Sequence, residues 1–140
     1  MAEFLEVSAI WQGGFRTLVD ARGHELTVDE PESAGGGNLG MMPTEVFLAS
    51  VASCYCLALG WVATKRSLEL PGLEVTVRAE RAGTELRYRR LAVEARADVP
   101  DERLAALIEP ARRVCWVSNT LAGELELEYG YTPVNARSPE

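Results

Sequence analysis

Hydrophobic and polar positions change period along the chain, and each change marks an element. Residues 5–29 carry short alternating runs, EVSAIW and HELTVD, separated by Gly13-Gly14 and by Arg22-Gly23-His24. A period of two bounded by glycines predicts strands joined by tight turns, with His24 in the second turn. Pro31 to Met42 reads PESAGGGNLGMM, which has no periodicity and little to bury, and predicts a loop. Its glycines lack the spacing of a phosphate cradle and read as flexibility beside a pocket.

The next segment, PTEVFLASVASCYCLALGWVATKRS, places Pro43 and Glu45 at its start and Lys65 and Arg66 at its end, the polarity a helix dipole favours. Phe47, Val51, Cys54, Ala58 and Trp61 form one stripe, while Val46, Leu48, Ala49, Leu57, Leu59 and Val62 cover the remaining faces. Ala49, Ser50, Ala52 and Ser53 are small enough for another backbone to approach closely. A helix without a solvated side runs through the middle of something, and 140 residues offer little material to wrap it. A second copy of the chain is the expected cover, so the pattern predicts an intimate homodimer. No run approaches the roughly 18 apolar residues of a membrane-spanning helix, and no membrane segment is expected.

Beyond Pro71-Gly72, LEVTVRAER and LRYRRLAVEARADV alternate about Ala82-Gly83 as a hairpin, with Leu73, Val75 and Val77 on one face. Pro100 and Asp101 open DERLAALIEPARRVCWVSNTLAG, where Leu104, Leu107, Ile108 and Ala111 keep helical spacing. Pro110 is expected to kink or split that helix and Gly123 to end it. ELELEYGY then alternates as a last strand, before a polar tail over residues 134–140 read as disordered. The order of strands, buried helix, strands, helix and strand predicts one α+β domain over residues 1–140 with mostly antiparallel sheets.

Composition narrows the functional classes. Fourteen Lys and Arg against 21 Asp and Glu leave a net charge of −7, which disfavours nucleic acid as a partner. The start has no basic stretch followed by an apolar core, so no export signal is expected and the chain reads as cytoplasmic. Three cysteines, an odd number, fit free or functional thiols rather than a disulfide framework.

Cys54 and Cys56 lie two apart on a helix, roughly 200° apart around its axis, which argues against a two-thiolate metal clamp. With His24 the single histidine, no metal site is expected. Cys56 reads as a buried small hydrophobe. Cys115 follows Arg112-Arg113 at a helix disturbed by Pro110, and a break there makes the thiol reachable. Nearby guanidinium groups favour a thiolate and the carbonyl end of a helix opposes one, so the spacing leaves the balance open. Glu45 reads either as an acid complementing the helix dipole or as a site residue, and Arg16 and Arg22 either as solvated charges or as stabilisers of a thiolate.

The stretch MPTEVFLASVASCYCLAL resembles a pattern of the OsmC/Ohr family of osmotically inducible and organic hydroperoxide resistance proteins, a Pro-x-Glu start leading into a buried helix with a cysteine after small residues. VCWVSNTL is similar to that family's second motif, a cysteine followed two residues later by Val-Ser and then Leu, although Trp116 stands where a proline commonly follows the cysteine. The opening WQGGFRTLVDARGHELTVDEP looks more like the OsmC-like branch than the dedicated hydroperoxidases. The resemblance implies an OsmC-like α+β fold with a long central helix and a second helix, built as an intertwined homodimer with pockets at the interface. It further implies that Cys54 is the peroxidatic thiol, Cys115 the resolving thiol, and Glu45 the acid positioning an arginine, Arg16 or Arg22. The implied partners are a small hydroperoxide and an external dithiol reductant, and the implied chemistry needs no cofactor. The competing expectation is a noncatalytic dimer that binds a small apolar or acyl ligand in the interface pocket.

Overall fold

Two glycine turns fold the N-terminal residues into a meander. In the computed structural model, which describes residues 4–134, β1 (Ser8–Trp11), β2 (Thr17–Ala21) and β3 (His24–Val28) pair antiparallel in that order. The second turn has two central residues, Arg22 and Gly23, both at positive φ (56° and 87°), the geometry that matches the twist of a tight hairpin. His24 is therefore the first residue of β3, paired with Ala21, and not part of the turn as its neighbours suggested.

The stretch after β3 holds a short 3₁₀ turn (Glu32–Ala34) and returns to β3, where Val28 bridges Met41 and the Asp29 N–H donates to the Met41 carbonyl at 3.1 Å. Its glycines are not there for flexibility, which corrects the sequence expectation. A Cβ at Gly36 would lie 2.1 Å from the Glu30 carbonyl oxygen, and one at Gly40 would lie 2.1 Å from that of Thr27. These glycines allow the loop backbone to lie against the end of the strand.

The long helix α1 runs from Pro43 to Lys65. Pro43 costs no hydrogen bond in the first turn, and Glu45 closes it by accepting the Met42 N–H at 2.8 Å. β4 (Glu74–Arg81) and β5 (Tyr88–Arg96) form the expected hairpin. Val75, Val77 and Ala79 stand opposite Ala95, Val93 and Leu91 on one face, and the other face carries the Glu74–Arg96 and Glu80–Arg89 ion pairs. α2 (Asp101–Arg113) and α3 (Trp116–Ala122) complete the described elements.

The core lies where α1 meets α2: Tyr55, Ala58, Leu59, Val62 and Ala63 pack with Leu107, Ala111 and Cys115, and Val75 and Ala95 close it from the hairpin. The buried stripe of α1 is thus Val51, Tyr55, Ala58, Leu59, Val62 and Ala63, rotated from the stripe expected through Phe47 and Trp61. Pro110 does not split its helix, since α2 continues to Arg113. The proline lacks the N–H that would reach the Ala106 carbonyl, and Arg66 from the end of α1 donates to that carbonyl instead at 3.4 Å.

α1 is also, at 23 residues, long and apolar enough by composition to cross a membrane, contrary to the sequence expectation. Counting unbroken apolar runs overlooks it, because its serines, threonines and glycine interrupt the run without making the segment polar. In this fold α1 packs on β4, α2 and α3 along one side. Its other side is open in the single chain, with Leu57 73% and Trp61 54% exposed beside Ser50 and Ser53. The meander packs chiefly on itself and exposes Ile10, Trp11 and Phe15. Residues 124–131 form no strand, contrary to their alternation, and Leu125, Leu127, Tyr129 and Tyr131 are exposed. A strand requires an edge to pair with, and in the single chain this segment pairs with neither the β1–β2–β3 meander nor the β4–β5 hairpin. Most of the tail expected over residues 134–140 lies outside the described residues.

Candidate functional site

Position on α1 decides what Cys54 can reach. Residues three and four apart share a helix face, so Cys54 lies on the flank of the buried stripe between Val51 and Ala58. Its thiol is half-buried, packs against the core cluster, and has no hydrogen-bond or ion-pair partner among the described residues. Cys56 falls on another flank, also half-buried, and not in the core as expected.

Cys115 is the N-cap residue of α3, in extended conformation in the short break after α2, and its carbonyl accepts the Asn119 N–H at 3.0 Å. The break does not make it reachable: Cys115 is completely buried, a member of the cluster against which Cys54 packs. The chain turns at this residue by tucking the side chain inward, since a small apolar thiol fills the corner between α1, α2 and α3. Tyr55, the chain neighbour of Cys54, shares that cluster. Burial is the main cause that pushes the Tyr55 hydroxyl above its ordinary range, with Arg112 opposing and Cys115 and Glu109 adding. The hydroxyl stays protonated and makes a long contact to the Ile108 carbonyl, 3.5 Å. A cavity of about 350 Å³ opens alongside, with apolar walls from Val51, Leu91, Val93 and Ile108 and polar groups from Tyr55, Arg112 and Ser118.

The remaining candidates lie toward the N-terminal end of α1, away from Cys54 at its middle. Arg16 pairs with Asp29, Nε to Oδ2 at 3.6 Å. Glu45 is engaged with the Met42 N–H as a helix cap, and no contact joins it to either arginine. Arg22 sits in the tight β2–β3 turn, exposed, without a side-chain partner among the described residues. Met41 is hydrogen-bonded to Asp29, and Cys54 lies 12 residues beyond Met42, about 18 Å further along the helix axis. One chain therefore brings Cys54, Tyr55 and Cys115 to one place and Arg16, Asp29 and Glu45 to another.

The sequence reading missed Asp29 and Tyr55. Asp29 is 1% exposed, and its carboxylate accepts the N–H groups of Glu30 (2.8 Å), Gly37 (3.2 Å) and Leu39 (3.2 Å). Burial pushes its pKa up, but those hydrogen bonds and Arg16 outweigh it and hold the group below its ordinary 3.8. The available signal was an acid ending an apolar strand directly before a glycine-rich loop, where loose backbone N–H groups need an acceptor. No cluster of three or more His, Cys, Asp or Glu suited to a metal lies among the described residues.

Comparison with known proteins matches residues 35–130 to the family model described as OsmC-like protein. An uncharacterized protein of Methanocaldococcus jannaschii is 24% identical over 125 residues; these cover 86% of this chain, which spans only 65% of that relative's length. Among solved structures, an organic hydroperoxide resistance protein from Elizabethkingia anophelis is similar at 28% identity and TM-score 0.63, with 90% of this chain and 93% of that one covered. An organic hydroperoxide resistance protein OsmC from Legionella pneumophila is similar at 25% identity and TM-score 0.67, covering 88% and 93%. An OsmC-like protein from Mycoplasma pneumoniae shares the fold at 18% identity and TM-score 0.72, covering 88% and 90%. With a family model matched from the glycine-rich loop through both cysteine motifs, and the same α+β fold in these structures, the chain belongs to the OsmC-like protein family.

Proposed function

We propose that this protein is a thiol-dependent peroxidase that reduces organic hydroperoxides or hydrogen peroxide. The observation that carries the reading is the pairing of a half-buried Cys54 with a fully buried Cys115 around one apolar cluster. The names of the Elizabethkingia and Legionella structures support the substrate class.

The Cys54 thiolate attacks one oxygen of the peroxide: an S–O bond forms, the O–O bond breaks, and the departing alkoxide takes a proton to leave as the alcohol. Sulfur is oxidised to the sulfenic acid and the peroxide is reduced. Cys115 then attacks the Cys54 sulfur, an S–S bond forms, and hydroxide leaves with the Cys115 proton as water. An external dithiol reduces that disulfide and is itself oxidised. Burial of Cys115 keeps that thiol from external oxidants, so that it is held in reserve for the Cys54 sulfenic acid.

A cation beside the sulfur favours the thiolate that attacks the peroxide. Arg16 cannot meet Cys54 of its own chain across the roughly 18 Å of α1 between them, so in this reading a second copy supplies it. The open Leu57–Trp61 face, the unsupported meander and the unpaired 124–131 segment all support a homodimer as the working form. Replacing Cys54 by Ser is expected to abolish hydroperoxide turnover with a dithiol reductant, and full turnover in Cys54→Ser would refute the assignment. A second reading is favoured by the cavity beside Tyr55: a noncatalytic dimer binding a small apolar or acyl ligand there, whose affinity survives Cys54→Ala and whose thiols ignore peroxide.

A further inference from the structure

A buried carboxylate that the peroxide chemistry does not use stands beneath Arg16. We propose that Asp29 is a positioning residue, which locks the β3–α1 loop and the Arg16 guanidinium into one unit so that the arginine approaches the partner's thiol from a fixed base. The inference rests on the peroxidase reading above.

The bonding of Asp29 explains why it can do this. Oδ1 accepts from Glu30, and Oδ2 accepts from both Gly37 and Leu39 while facing Arg16 Nε. Three backbone donors on one carboxylate fix its position, and the loop cannot move without dragging the carboxylate with it. Arg16 is held differently. Its Nε is buried yet makes no hydrogen bond, because 3.6 Å is an ion-pair distance and not a hydrogen bond. The side chain is 41% exposed and its guanidinium donates to nothing among the described residues. A purely structural arginine would normally spend its forked donors on the carboxylate beside it. Here the forked donors have no hydrogen-bond partner among the described residues and are open to an incoming anion.

Gly37 completes the arrangement. A Cβ there would lie 3.2 Å from Arg16 Nη2 and 3.2 Å from Asp29 Oδ2, tight enough that one of the two side chains would have to give by a few tenths of an ångström. Gly37→Ala therefore crowds the Arg16–Asp29 contact without removing either charged group, and provides a test independent of Asp29→Asn.

The test follows the pH dependence of Cys54 alkylation by iodoacetamide, read by peptide mass analysis on the reduced, full-length protein in a Cys56→Ser background. Asp29→Asn and Arg16→Gln are each expected to raise the midpoint by about one pH unit, a roughly tenfold loss of thiolate at neutral pH. The double variant is expected to lie within about twofold of either single one, since both act through the same group. Gly37→Ala is expected to move the midpoint in the same direction by less, and it carries the test should circular dichroism show Asp29→Asn to be unfolded. An unchanged midpoint in Asp29→Asn or, in that case, Gly37→Ala, or additive losses in the double variant, would overturn the proposal. That failure is separable from failure of the peroxidase reading, which would show as a wild-type Cys54 that hydroperoxide does not consume.

Discussion

Cys54 and Cys115 differ in access, and the difference assigns distinct outcomes to their removal. Cys54→Ser is expected to eliminate peroxide-dependent thiol loss. Cys115→Ser is expected to allow one turnover, after which the Cys54 sulfenic acid persists or oxidises further, seen as mass gains of one or more oxygens on the Cys54 peptide. Asp29 ties stability to pH with a definite sign. Its folded pKa lies below the ordinary value, so its contribution is present at neutral pH and lost as pH falls below about 4 and through the folded value. The Tm of the wild type is expected to fall more steeply across that acid range than the Tm of Asp29→Asn. Glu45 at the start of α1 is legible in the sequence because helix capping is local, whereas Cys54 and Cys115 are singled out by the resemblance and not by their spacing. Asp29 is not legible, because its partners at Gly37 and Leu39 come from a loop without periodicity, and only folding shows where their N–H groups point. The burial of Cys115 escapes the sequence for a related reason: a helix break suggests an exposed side chain, yet the chain turns that side chain inward.

At the level of elements, α1 and the β4–β5 hairpin follow directly from their patterns, since proline, acid and base mark the helix ends and alternation marks the hairpin face. Glycines mark the turns on either side of β2, and the strand between them, TLVDA, follows once both turns are placed. α2 departs from expectation at Pro110, where Arg66 supplies the donor that the proline lacks. Arg66→Met is therefore expected to destabilise the wild type by about 0.5–1.5 kcal/mol but to have little effect in a Pro110→Ala background, where the substituted residue brings its own backbone N–H to the Ala106 carbonyl. Leu107, fully buried against α1, is the element-level anchor. Leu107→Ala is expected to cost about 2–5 kcal/mol by denaturant unfolding.

For the whole molecule, the all-round apolar character of α1 anticipates a second copy, and the single chain leaves the matching surfaces open. Residues 124–131 are the feature whose alternation is plain and whose pairing is absent in the single chain. Wild-type protein is expected to elute as a dimer by light scattering, and Trp61→Glu to shift it toward monomer and lower peroxide turnover at least about tenfold through loss of the shared site. The central claim is tested most directly by treating the reduced protein with one equivalent of cumene hydroperoxide, counting free thiols and mapping disulfides by nonreducing peptide mass analysis. The account predicts rapid loss of two of the three thiols to a Cys54–Cys115 bond. Three unreacted thiols would contradict it and leave the ligand-binding dimer as the reading to pursue.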